Sequence, residues 1–95
     1  MVPRSRPEVV LLTREECGFC HDAEEILVRL SSEFGFDVTR LDLDSQEGYE
    51  LGQREGILFP PGILIDGEGV SYGRPSERRL RRELERRLQE TKAES

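Results

Sequence analysis

An unbroken apolar run, Val9, Val10, Leu11 and Leu12, is followed closely by a segment whose apolar positions, Ala23, Ile26, Leu27, Leu30 and Phe34, return at helical spacing. The run reads as a buried strand and the segment, residues 21–34, as an amphipathic helix. Between them stand the only two cysteines of the chain, Cys17 and Cys20, in the order Cys-Gly-Phe-Cys. The pair therefore sits at a strand-to-helix junction. A helix N-terminus carries unsatisfied N–H groups and a partial positive charge, and both stabilise a thiolate, the reactive form of cysteine. Cysteines at i and i+3 on a helix have Cα atoms near enough for a disulfide. The local chemistry points to a pair that cycles between dithiol and disulfide.

The rest of the chain keeps alternating. A first strand is expected over Val9–Thr13, and Gly35 ends the helix that follows. A second strand is expected over 38–44, with Leu41 and Leu43 on one face and Asp42 and Asp44 on the other. Ser45 can cap a short helix over 45–54, weakened by Gly48 and Gly52 and closed by Gly56. A third strand over 62–66 leads through a hairpin turn at Asp66, Gly67, Glu68 and Gly69 into a fourth over 70–72. Ser76 caps a last helix in which Leu80, Leu84 and Leu88 form a narrow stripe. The order is βαβαββα. The two crossovers predict parallel pairing and the hairpin an antiparallel edge, making a four-stranded mixed sheet with helices on both faces.

Ninety-five residues make one domain. It is expected over residues 8–91, with short tails at 1–7 and 92–95. No apolar run reaches the roughly 18 residues of a membrane span, and the first residues hold no signal-peptide core, so the expected location is the cytoplasm. There a lone cysteine pair is catalytic or metal-binding more often than a structural staple. The net charge of −6 is uneven: residues 8–73 hold 15 acids against 4 arginines, and residues 74–92 hold 7 arginines and 1 lysine against 4 glutamates. An acidic body argues against nucleic acid as partner. The arginine run from Arg78 to Arg87 reads as an amphipathic helix with i,i+4 pairs, Glu77 with Arg81 and Glu83 with Arg87.

On Cys-Gly-Phe-Cys after the first strand, Pro60 and Pro61 before the third, and Gly73 to Glu77 before the last helix, the chain resembles the glutaredoxin-like branch of the thioredoxin-fold proteins. The segments CGFCHDAEEIL, FPPGILIDGEG and YGRPSERRLRREL resemble small bacterial glutaredoxin-family proteins. The resemblance implies a thioredoxin/glutaredoxin-like α/β fold and a thiol–disulfide oxidoreductase acting on protein disulfides or low-molecular-weight-thiol mixed disulfides. It implies Cys17 as nucleophile, Cys20 as resolving cysteine and Pro61 as the cis proline that shapes the substrate groove. Arg14 holds the position of a lysine that meets a glutathione carboxylate in the family. Gly73 and Arg74 stand for its paired glycines, and Ser76 and Glu77 for the acidic pair that follows. Phe19 reads equally as a groove contact or as a half-exposed aromatic.

Several departures qualify glutathione as ligand. Pro60 has no N–H to offer a substrate backbone. Arg74 replaces a glycine where the backbone approaches glutathione, and Glu15, Glu16, Asp22, Glu24 and Glu25 surround the cysteines with negative charge. Thioredoxins differ in other ways, with a buried acid where this chain has Leu11 and a tryptophan where it has Glu16. No bound cofactor or metal is expected, with glutathione, another thiol or a reductase returning electrons to a monomeric protein. A zinc half-site would find only His21 nearby, and Cys17 to His21 also fits the haem pattern C-x-x-C-H without a second axial ligand in the chain. The alternative is a metal-handling or protein-interaction module on the same fold without turnover.

Overall fold

The computed structural model describes the backbone of residues 6–94 and the side chains of residues 6–88. Most of the expected N-terminal tail, the side chains of the expected C-terminal tail and Ser95 lie outside these residues. The elements are β1 (Val9–Thr13), α1 (Cys20–Phe34), β2 (Val38–Asp42), α2 (Gln46–Glu55), β3 (Gly62–Ile65), β4 (Glu68–Tyr72) and α3 (Glu77–Glu94). They make one four-stranded mixed sheet in the order β2-β1-β3-β4.

β1 and β3 are the central strands and are covered on both faces, which explains why they read as continuous apolar runs rather than alternating ones. Val9, Leu11, Ile63 and Ile65 face α1 and α3, packing with Ala23, Leu27, Leu30, Phe36, Leu80 and Leu84. Leu12 and Leu64 point the other way, to Leu43 and Ile57 under α2. Each fully buried Leu or Ile contributes about 1.5–3 kcal/mol of transfer free energy. Both clusters are therefore substantial, and the layers are α1/α3, sheet, α2.

The caps follow the sequence. Ser45 Oγ accepts from Gly48 N at 3.1 Å, and Gly35 and Gly56 close α1 and α2 in left-handed conformation at φ 74° and 71°. The hairpin turn is tighter than expected: only Asp66 (φ 54°) and Gly67 (φ 83°) form it, as a two-residue turn with both φ positive requires. β4 accordingly starts two residues earlier, at Glu68, and β2 ends at Asp42 instead of residue 44.

Parallel pairing after both crossovers is corrected. β1 pairs with β2 in parallel, but β3 runs antiparallel to β1, with Leu12 opposite Gly62 and Val9 opposite Ile65. The cause lies in α2. A Cβ on Gly48 would sit 2.0 Å from the Asp42 carbonyl oxygen, and one on Gly52 3.0 Å from Leu43 Cδ1 and 3.2 Å from the Ile57 carbonyl oxygen. These two glycines clamp α2 over the C-terminal end of β2. The chain is still at that end of the sheet when β3 begins, so β3 can only run back. The reversal brings the Pro60–Pro61 turn to the end of the sheet where β1 delivers the cysteines.

Candidate functional site

β1 ends at Thr13, opposite Asp42. The chain then climbs off the sheet through Arg14 to Glu16, and Glu16 takes the left-handed conformation at φ 59°. For a residue with a Cβ this costs about 1–2 kcal/mol, here accepted in the turn that presents the next residue, Cys17. The helix begins one residue before the expected position 21. Cys20 is its first residue and Phe19 its N-cap, while Cys17 lies in the preceding turn, held by Cys20 N donating to Cys17 O at 3.3 Å. Cys17 is thus not on the helix; the Glu16 and Gly18 turn keeps it off. No side chain caps α1. Apart from the Cys20 N–H, which donates to Cys17 O, its first-turn N–H groups and the positive end of its dipole can favour negative charge near the cysteines. Cys17 and Cys20 are joined as a disulfide, with Cα atoms 5.4 Å apart, and both are half-buried.

The Pro60–Pro61 peptide bond is cis and Pro61 is fully buried. Pro61 directly precedes the Gly62–Leu12 pair, which sets it at the end of β1 from which the cysteine loop departs. Its carbonyl accepts from Gly73 N at 2.9 Å. Gly73 has φ 79°, which only glycine adopts freely. Cys17, Cys20, Phe19, Pro60, Pro61 and Gly73 therefore share one end of the sheet. Arg74 is exposed and lines a cleft beside β4.

The charged candidates are partly occupied. Arg14 Nε donates to Asp44 Oδ2 at 3.0 Å, with Nη2 3.0 Å from Oδ1. Glu24 pairs with Arg40 at 3.0 Å, and His21 Nε2 lies 3.8 Å from Glu25 Oε2. Arg40 thus partly neutralises the acidic collar along α1. A pocket of about 280 Å³ opens beside Cys20 between Arg14, His21, Glu24, Arg40 and Asp42. Ser76 and Glu77 serve the fold. Ser76 Oγ accepts from Arg79 N at 3.3 Å, and the Arg29 guanidinium, hydrogen-bonded at 2.8 Å, holds the Glu77 carboxyl below its ordinary range. Among the described residues no group of three or more His, Cys, Asp or Glu is placed to hold a metal ion.

Sequence reasoning overlooked two aromatic side chains. Phe59 and Tyr72 stack with centroids 6.3 Å apart, each more than half exposed, one residue before Pro60 and one before Gly73. With Phe19, 46% exposed, they give the sheet end that carries the cysteines an exposed aromatic side. The available signal was the placement of each ring beside a residue already singled out. Asp44, which holds Arg14, was legible only as the outward face of β2.

Comparison with known proteins agrees with this fold. Residues 8–85 match the family model of the glutaredoxin-like domain (DUF836). Uncharacterised proteins of Mycobacterium bovis and Mycobacterium tuberculosis are each 41% identical over 85 residues, covering 86% of this chain and 87% of the relative. A probable thioredoxin of Archaeoglobus fulgidus is 29% identical over 71 residues, 75% of this chain and 78% of that one. Among solved structures, a thioredoxin-like protein from Clostridium perfringens superposes with TM-score 0.69 at 18% identity, over 86% of this chain and 71% of that one. A mutant thioredoxin from Halobacterium salinarum superposes with TM-score 0.67 at 23% identity, over 86% and 74%. At these identities the two structures share the fold.

Proposed function

Since the chain belongs to the glutaredoxin-like domain family (DUF836), we propose that it is a dithiol–disulfide oxidoreductase. The observation that carries this is the Cys17–Cys20 disulfide at the uncapped start of α1, at the same sheet end as the buried Pro61 turn. In the reduced protein the Cys17 thiolate attacks one sulfur of a substrate disulfide. A Cys17–substrate bond forms, the substrate S–S bond breaks, and the departing thiolate takes up a proton. Cys20, having lost its proton, then attacks Cys17 Sγ, closes the intramolecular disulfide and releases the second substrate thiol. Two electrons pass from the pair to the substrate, and a low-molecular-weight thiol or a reductase returns them.

Cys17 is assigned as nucleophile because it stands in the exposed turn before α1, whereas Cys20 is already in the helix. The exposed aromatic side of Phe19, Phe59 and Tyr72 suits a polypeptide disulfide. Pro60, without an N–H, and Arg14, held by Asp44, suit glutathione less well. A reducing compartment, where the pair is regenerated, fits this cycle.

The decisive assay reduces an insulin-type disulfide and a glutathione mixed disulfide, each coupled to thioredoxin reductase and to glutathione reductase. Turnover abolished by Cys17→Ser, together with a mixed disulfide trapped through Cys17 in Cys20→Ser, is the expected result. Stoichiometric zinc in reduced protein with no turnover on either substrate would replace the enzyme by a metal-handling module.

A further inference from the structure

β4 ends the strand order, so among the described residues one edge of its backbone has no strand partner. That edge runs along a cleft of about 470 Å³ between the C-terminal end of α2 (Glu55, Gly56, Ile57) and the segment carrying Arg74, Ser76 and Arg79. Open strand edges template pairing with another chain unless they are covered. Coverage here is slight: Glu55 Oε1 accepts from Gly69 N at 3.1 Å, and the following residues of β4 line the cleft.

The charge beside this edge is unusual for the molecule. All four arginines of residues 8–73 are in ion pairs: Arg14 with Asp44, Arg29 with Glu77, Arg40 with Glu24 and Arg54 with Glu55. Arg74, Arg78, Arg79 and Arg82 form no ion pair among the described residues. The last three project within roughly 100° of one another around α3. In a chain of net charge −6, two of the four arginines without an ion pair among the described residues, Arg74 and Arg79, thus line the cleft beside the β4 edge. The carboxylate in the cleft, Glu55, is already engaged by Gly69 N and Arg54.

We infer that the β4 edge is a docking groove for an extended acidic segment of a partner polypeptide. The segment adds as a fifth strand, with backbone hydrogen bonds supplying attachment and its carboxylates meeting Arg74, Arg79 and their neighbours. Small anions would use the guanidiniums but leave the strand edge unsatisfied. A second copy of this chain would have to offer Asp66 and Glu68 from its own hairpin, and Arg87 of the same copy holds both. The groove meets the rim of the cysteine site at Tyr72, but docking itself needs no reaction at the cysteines.

The test is an amide chemical-shift titration of the isotope-labelled protein with the peptide acetyl-Thr-Glu-Val-Glu-Val-Glu-Thr-amide. Shifts should concentrate at residues 69–72 and 74–79. Replacing the glutamates by glutamine, or Arg74→Gln with Arg79→Gln in the protein, should weaken binding about tenfold, the worth of two surface ion pairs. Peptide N-methylated at alternate residues should not bind. Equal binding of the methylated peptide would leave charge adhesion without strand addition and overturn the inference. The same shifts produced by inorganic phosphate, concentration-dependent dimerisation in sedimentation, or no shifts at all would each overturn it too.

Discussion

Arg14 grips Asp44 through two nitrogens, with Nε and Nη2 each 3.0 Å from a carboxylate oxygen. The pair ties the first residue after β1 to the residues after β2, bracing the base of the cysteine loop. It also uses the cation that the family resemblance would direct to a glutathione carboxylate. Both side chains are substantially exposed, so the pair is worth less than about 1 kcal/mol and can be exchanged for a substrate carboxylate. Asp44→Asn should raise kcat/KM on a glutathione mixed disulfide about threefold at low ionic strength, and Arg14→Ala in the Asp44→Asn background should cancel the gain. An unchanged kcat/KM in Asp44→Asn would remove Arg14 from substrate binding.

Pro60 bears on the same substrate differently. The family resemblance implies a substrate-binding backbone N–H at this position, and a neutral hydrogen bond is worth about 0.5–1.5 kcal/mol. Pro60→Val supplies the donor. It should improve kcat/KM for the glutathione mixed disulfide by about two- to tenfold, with little change for an insulin-type disulfide that docks on Phe19, Phe59 and Tyr72. Robust wild-type turnover with glutathione, unaltered by Pro60→Val, would show that the missing donor is unimportant.

Gly48 should be the least replaceable glycine of α2. Alanine would ordinarily favour a helix by about 1 kcal/mol. Here its Cβ would lie 2.0 Å from a backbone oxygen of Asp42, so α2 must lift from β2. Gly48→Ala should lose more than about 2 kcal/mol by denaturant unfolding. Gly18→Ala, whose Cβ meets nothing within 4 Å, should stay within about 0.5 kcal/mol of wild type.

Glu77 and Glu83 should contribute to the acid limb of stability. The hydrogen bond from Arg29 lowers the Glu77 pKa, and that from Arg86 lowers the Glu83 pKa, each below the ordinary 4.5. A carboxylate with a depressed folded-state pKa stabilises the fold above its unfolded pKa and loses that contribution as pH falls through the folded value. The melting temperature should therefore hold from pH 7 down to about 4.5 and drop below it. Glu77→Gln with Glu83→Gln should melt lower at pH 7 and decline less steeply below pH 4.5. Parallel melting curves for the two proteins across that range would contradict the assignment.

Much of the layout was legible because it rests on local rules. Ser45, Gly35 and Gly56 mark boundaries through their own backbone preferences, and the turn after β3 was legible in place though not in length. Leu11, Leu27 and Ile63 declare burial by period and composition. The candidate site was legible in part, since Cys17, Cys20, Pro61 and Gly73 could be placed by motif. Phe59, Tyr72 and Asp44 could not, because an exposed aromatic or an exposed acid gains its meaning from what lies across the fold.

The sequence alone determined the order of elements, the apolar strand and helix stripes that supply most of the core, and the presence of a cysteine pair at the start of the first helix, all properties of short stretches of chain. Only the tertiary structure decided the direction of β3. That direction depends on how closely Gly48 and Gly52 let α2 approach Asp42 and Leu43, a contact between elements that no local preference encodes. The same packing brings Pro61 and Gly73 to the end of β1, commits Arg14 to Asp44, and leaves Arg74 and Arg79 beside an unpaired strand.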